Sequence, residues 1–133
     1  MISLIFALPI IVADVSKRII PNIYLMFYGY LYLFLTIFKG LGSIPLFLAS
    51  LLCVFLLHLC GMGMGDSKLI FLIALVLPVV SIADFLELLT LIFLAAAFHI
   101  LCNWLLSKRF PATIAMAPAI FIGTGLYLAT SRG

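Results

Sequence analysis

Gly61-Met62-Gly63-Met64-Gly65-Asp66-Ser67-Lys68 divides two long apolar runs, one reaching back to Ile44 and the other continuing from Leu69 to Val80. Three alternating glycines break a helix, because glycine is a poor helix former and opens backbone conformations closed to other residues. The run before the glycines is therefore expected to be one helix and the run after them another. Asp66 stands out because acids are scarce here: the chain holds four Asp and Glu among 133 residues.

Other breaks lie at Pro21, at Lys39-Gly40-Leu41-Gly42-Ser43, between Ser81 and Asp84, and at Ser107-Lys108-Arg109-Phe110-Pro111. They cut the chain into six apolar segments, at about 2–20, 22–38, 44–60, 66–80, 85–106 and 112–130. The first should stop before Pro21, since the residue ahead of a proline disfavours helix. Asn22 is expected to cap the second segment. Pro78 is expected to kink or shorten the fourth, 81–84 to form a tight loop, and Pro118 to lie inside the sixth.

The composition is 68% hydrophobic and 8% charged, against about 45–50% and about 25% in an ordinary soluble domain. At roughly 20 residues per spanning helix, the expectation is an all-α, polytopic integral membrane bundle of about six transmembrane helices. It would form a single membrane-embedded domain over residues 1–133. The first segment lacks a basic n-region and an A-x-A-like cleavage site, so it reads as a retained span rather than a secretory signal.

The net charge of +3 comes from seven basic residues that fall singly or in pairs between apolar stretches. No nucleic-acid surface is expected from that pattern. Lys and Arg concentrate in cytoplasmic loops. An outside N-terminus places Lys17, Arg18, Lys68, Lys108 and Arg109 inside, with Lys39 and Arg132 outside. Asp84 and Glu87 then fall outside, and Asp14 and Asp66 fall near the cytoplasmic face of a cell membrane. One helical hairpin separates Asp14 from Asp66, and a hairpin returns the chain to the side it left, so the two carboxylates can meet. From Ile2 to Asp14 is about 18 Å of helix, short of the roughly 30 Å hydrocarbon core. An acid at that depth should face protein or trapped water rather than lipid.

Asp14 has a plain alternative as the ion-pair partner of Lys17 or Arg18, three and four positions on. Asp66 has one as the N-cap of the fourth helix, and the glycines have one as small-residue packing or a loop. The chemical reading is an aspartyl protease pair. Two carboxylates within hydrogen-bond reach do not both ionise easily and share a proton. One then takes a proton from water while the other donates to the scissile carbonyl. Glycines without Cβ would let an unwound peptide approach the backbone closely.

Few other groups compete for that role. His58 and His99 lie in apolar runs and read as packing residues, and no serine has a G-x-S-x-G context. Tyr24, Tyr28, Tyr30 and Tyr32 read as interface or packing aromatics. Cys53, Cys60 and Cys102 lack zinc-ligand spacing and read as buried small hydrophobes. No metal and no cofactor is expected.

Four stretches together resemble the type IV prepilin peptidases, the G-x-G-D class of membrane aspartyl proteases. They are Asp14-Val15-Ser16-Lys17-Arg18-Ile19-Ile20-Pro21-Asn22, Gly61 to Lys68, the apolar run that follows, and Pro118-Ala119-Ile120-Phe121-Ile122-Gly123. The resemblance implies an endopeptidase that cuts prepilins and pseudopilins at the cytoplasmic face, ahead of the hydrophobic helix of their leader peptide. It makes Asp14 and Asp66 the catalytic pair, Gly63 and Gly65 the G-x-G, Lys68 the lysine that follows the second aspartate, and Pro118 a supporting motif residue. The implied partners are the prepilin leader with its helix, and membrane lipids.

Larger members carry a cysteine-bearing cytoplasmic insertion and also methylate the new pilin N-terminus. Asp14 and Pro21 are seven apart here, so peptidase activity without methyltransferase activity is expected. Pro118-Ala119-Ile120 is also similar to the Pro-Ala-Leu motif of presenilin-like proteases, a relationship of mechanism. The competing class is a small proton- or cation-coupled transporter, or a non-enzymatic assembly subunit, using the same acids.

Overall fold

The computed structural model describes residues 7–17, 20–40, 44–77, 79–109 and 114–131. Their regular structure is helical throughout, in the order α1 (Ala7–Lys17), α2 (Asn22–Lys39), α3 (Ile44–Leu59), α4 (Met64–Val76), α5 (Ile82–Ser107) and α6 (Ala117–Thr130). Among the described residues there is no strand.

The glycine run separates α3 from α4 as expected. Gly61 takes φ +96°, a conformation that favours glycine, and its N–H donates to the His58 carbonyl at 3.0 Å. The Met62 N–H donates to the Leu57 carbonyl at 3.2 Å. The end of α3 thus closes on its own last carbonyls, and the chain is free to turn into α4.

Several boundaries differ from the sequence expectation, each for a local reason. Asn22 is not the cap of α2. The N-cap is Pro21 at φ −61° and ψ 133°, whose carbonyl accepts from the Tyr24 N–H at 3.1 Å. Residues 81–84 are not a loop, because Ser81 and Asp84 form a reciprocal capping box. The Ser81 hydroxyl accepts from the Asp84 N–H at 3.1 Å, and the Asp84 carboxylate accepts from the Ser81 N–H at 3.0 Å. This is the S-x-x-[E/Q] logic with a shorter acid, and it starts α5 at Ile82.

The fourth helix ends at Val76 rather than near residue 80, with Leu77 extended at ψ 155°, as a residue ahead of a proline prefers. Pro78 itself lies outside the described residues. The sixth helix begins at Ala117 rather than near residue 112, which puts Pro118 in its first turn rather than its interior. A proline costs nothing there, since its missing N–H would have had no helical partner.

The largest interface joins α5 and α6, while α4 packs on both α2 and α3, and α1 packs on α6. At the α5–α6 contact, a Cβ on Gly123 would lie 2.6 Å from the Ile92 Cα. Only a residue without a side chain lets the two backbones come this close. The core between the helices holds Ile10, Tyr28, Leu69, Ile73, Phe85, Leu88, Ile92 and Ile120, all withdrawn from the surface.

The outward faces are apolar as well. Phe34 and Phe38 on α2, Leu52 and Phe55 on α3, and Leu94, Phe98 and Leu105 on α5 are exposed. With 26 residues, α5 is the one helix among those described that is long and apolar enough to cross a membrane; Asn22–Phe38, Ile44–Leu59 and Ala117–Thr130 are apolar but shorter.

Candidate active site

Asp14 is carried into the interior by the periodicity of α1. Ile10 and Asp14, one turn apart, are its buried residues, while Leu8, Val12 and Val15 face outward. The aspartate is only 4% exposed. Its Oδ2 accepts a hydrogen bond of 2.8 Å from the backbone N–H of Ala117, 103 positions away.

That amide belongs to the first turn of α6, where N–H groups have no partner within the helix. The next residue, Pro118, has no N–H at all, and the Ile120 N–H is already bonded to the Met116 carbonyl at 3.0 Å. Asp14 therefore satisfies a helix end with its carboxylate, where the helix dipole favours negative charge. Lys17, the alternative partner, is exposed while Asp14 is buried against the Ala117 amide; Arg18 lies outside the described residues.

Asp66 lies in the first turn of α4, two residues after the helix starts and ahead of the apolar stretch that begins at Leu69. It is not the N-cap. Gly63 takes that place, with no side-chain cap bond, because the extended backbone of the glycine run ends one turn earlier than the acid. The Asp66 carboxylate folds back over Gly63, so closely that a Cβ on this glycine would sit 3.1 Å from Asp66 Oδ2. Ser67 fixes the same glycine from the helix side, its hydroxyl and its N–H each donating to the Gly63 carbonyl at 3.0 Å.

Gly65 does a different job. Its face rests on Ile20, and a Cβ there would stand 3.4 Å from the Ile20 Cβ. The G-x-G segment is thereby seated against the chain just ahead of Pro21. Lys68 is exposed.

Asp14 on α1 and Asp66 on α4 are carried by helices that both pack against α6. Gly63, Gly65 and Pro118 each touch the elements that hold this pair. Sequence reasoning missed the Ala117 amide. Its only signal was the adjacent Pro118, which marks a helix start and hence a set of unpaired amides.

The remaining polar groups have local roles. His58 is not mid-helix; it sits in the last turn of α3 and pairs through Nδ1 with the Met62 carbonyl at 3.1 Å. Cys53 and Cys102 are partly buried, but Cys60 is exposed, contrary to its reading as a buried hydrophobe. The cause is its position past the end of α3, in the turn that leads to the glycines. Tyr28 is fully buried, whereas Tyr30 is exposed. Among the described residues no group of three or more His, Cys, Asp or Glu is placed to hold a metal ion.

No protein-family model, curated protein or solved structure matches the chain.

Proposed function

We propose that the chain is a multi-pass membrane aspartic endopeptidase, with Asp14 and Asp66 as its catalytic pair. The observation that carries this reading is a buried carboxylate from α1 held by the first amide of α6, the helix against which α4, with Asp66 in its first turn, also packs. Two of the chain's four acids are thereby carried on helices that share α6, and such a pair, once together, is suited to water activation.

In this reaction one carboxyl takes a proton from water as the oxygen attacks the scissile carbonyl carbon, and the other donates a proton to the carbonyl oxygen. Collapse of the tetrahedral intermediate breaks the C–N bond, and the leaving amine takes up a proton from the pair. The step needs two titratable groups and a water.

The membrane setting is supported by helices that are apolar on their outer as well as their inner faces, an arrangement lipid accepts and water does not. Six spans with the N-terminus outside put the pair at the cytoplasmic face, by the distribution of Lys and Arg. The substrate class follows from the resemblance to prepilin peptidases: a prepilin or pseudopilin leader, cut just ahead of its hydrophobic helix. Methylation of the product is not part of the proposal.

The test is co-expression with a candidate prepilin, comparing leader removal by wild type, Asp14→Asn and Asp66→Asn. The proposal expects processing by wild type alone. An intact leader beside folded, inserted wild-type protein contradicts it, and proton or cation flux without peptide product would assign the acids to transport instead.

A further inference from the structure

A second polar feature, His99, lies on α5. One close contact sets the register of α5 against α6, and a short connection sets their relative direction. Gly123 meets the Ile92 backbone, and the connection from Ser107 at the end of α5 to Ala117 at the start of α6 is too short to return the chain to the far end of the 26-residue α5. The two helices therefore run antiparallel.

Stepping back along α6 from Gly123 to Ala117 covers about 9 Å, and stepping forward along α5 from Ile92 to His99 covers about 10 Å. His99 thus stands level with the amide that holds Asp14. It also continues the inward stripe of α5, since Ile92 and Ala96, seven and three positions before it, are buried, and such spacings share one helix face.

The imidazole has one polar neighbour on its own helix. The Asn103 Nδ2 amide lies 3.2 Å from His99 Nε2. An amide nitrogen only donates, so Nε2 accepts and the ring proton resides on Nδ1. Nδ1 is buried and has no hydrogen-bond partner among the described residues. A buried donor left unpaired is unfavourable, and an acceptor brought to it would relieve that cost.

We propose that His99 is a substrate-contacting residue, whose Nδ1–H donates to a backbone carbonyl of the peptide held beside Asp14 and Asp66. The inference rests on the endopeptidase reading and adds a group to it. A peptide unwound for cleavage at a membrane edge has carbonyls that have lost their helical partners, and in a water-poor site protein donors must satisfy them. The ring is only partly covered, so small side-chain shifts admit the acceptor. Asn103 acts as a positioning residue by holding the tautomer.

The experiment measures kcat and KM of the full chain in lipid on a prepilin-type peptide, a basic leader followed by an apolar helix, with thermal melts of each variant. His99→Leu is expected to raise KM about tenfold with kcat little changed, the loss of one hydrogen bond to a buried carbonyl. His99→Asn, which places an amide donor near the Nδ1 position, should keep KM within about threefold of wild type. Unchanged KM in His99→Leu, or equal defects in both variants, overturns the inference and leaves the endopeptidase reading standing. If His99→Leu does not fold, His99→Gln decides, since its amide reaches the Nε2 position: a raised KM supports the contact and a wild-type KM overturns it. A wild type that cuts nothing removes the endopeptidase reading and this inference together.

Discussion

Asp84 and Asp14 are the same residue type at opposite ends of the bundle, and they are used in opposite ways. Asp84 accepts hydrogen bonds from the N–H groups of Ser81 and Val80, all within four positions, and its job ends with starting α5. Asp14 accepts from an amide 103 positions away and is almost fully buried. A carboxylate spent on its own helix end is structural. One that ties two distant helices together is the acid that the proposed reaction would use.

The sharpest way to break that contrast is to remove the charge at each end. Asp14→Asn or Asp66→Asn should lower the cleavage rate by at least about 10²–10⁴-fold, the usual share of general acid–base catalysis, measured by product formation on a prepilin-type peptide. Asp84→Ala should leave the cleavage rate near wild type. Residual cleavage by Asp66→Asn close to wild type would erase the distinction between the two ends.

Next in size is the α5–α6 contact that sets the position of the Ala117 amide. Gly123→Val forces a side chain into the Ile92 backbone and should destabilise the protein by about 1–3 kcal/mol or more, as overpacking does, read as a lowered melting temperature in detergent. Gly63→Ala probes the acid pair more gently. Its methyl group would press on Asp66 Oδ2 from 3.1 Å, and a few tenths of an ångström of displacement should lower kcat by about tenfold, given the sensitivity of catalysis to misplacement. An unchanged kcat would mean that the folded-back position of Asp66 is not the working one.

The smallest effect belongs to the structural end. Ser81→Ala removes the hydroxyl from the capping box and should cost about 1 kcal/mol of stability, seen in the same melts, with kcat/KM unaltered. A large loss of activity would show that the two ends are coupled.

The contrast also explains what the sequence revealed. The break at the glycine run and the placement of Asp66 behind it were readable, because glycine and proline punctuate helices and scarce acids draw attention. The Ser81-x-x-Asp84 signature was present in plain view, yet the same residues also suit a loop, and only the hydrogen-bond geometry separates the two. Asn22 was given a capping role that Pro21 fills by its fixed φ. Asp66 was one turn too far into α4 to cap it.

The partner of Asp14 was hidden for a deeper reason. It is a backbone group, which every residue but proline carries, and its availability follows from where α6 begins. Pro118 fixes that beginning, but as a residue in an apolar run it equally suits a kink. The orphan donor of His99 was hidden likewise, since its meaning depends on the register of α5 against α6, which Gly123 sets through a contact no local pattern encodes.

The central claim is that Asp14 and Asp66 act as one unit, and a double-mutant cycle on cleavage tests it most directly. Single-turnover rates of wild type, Asp14→Asn, Asp66→Asn and the combined variant should place both single variants and the double at the same floor, because residues of one catalytic unit give non-additive losses. Losses that add, or a single variant that keeps appreciable cleavage, would contradict it.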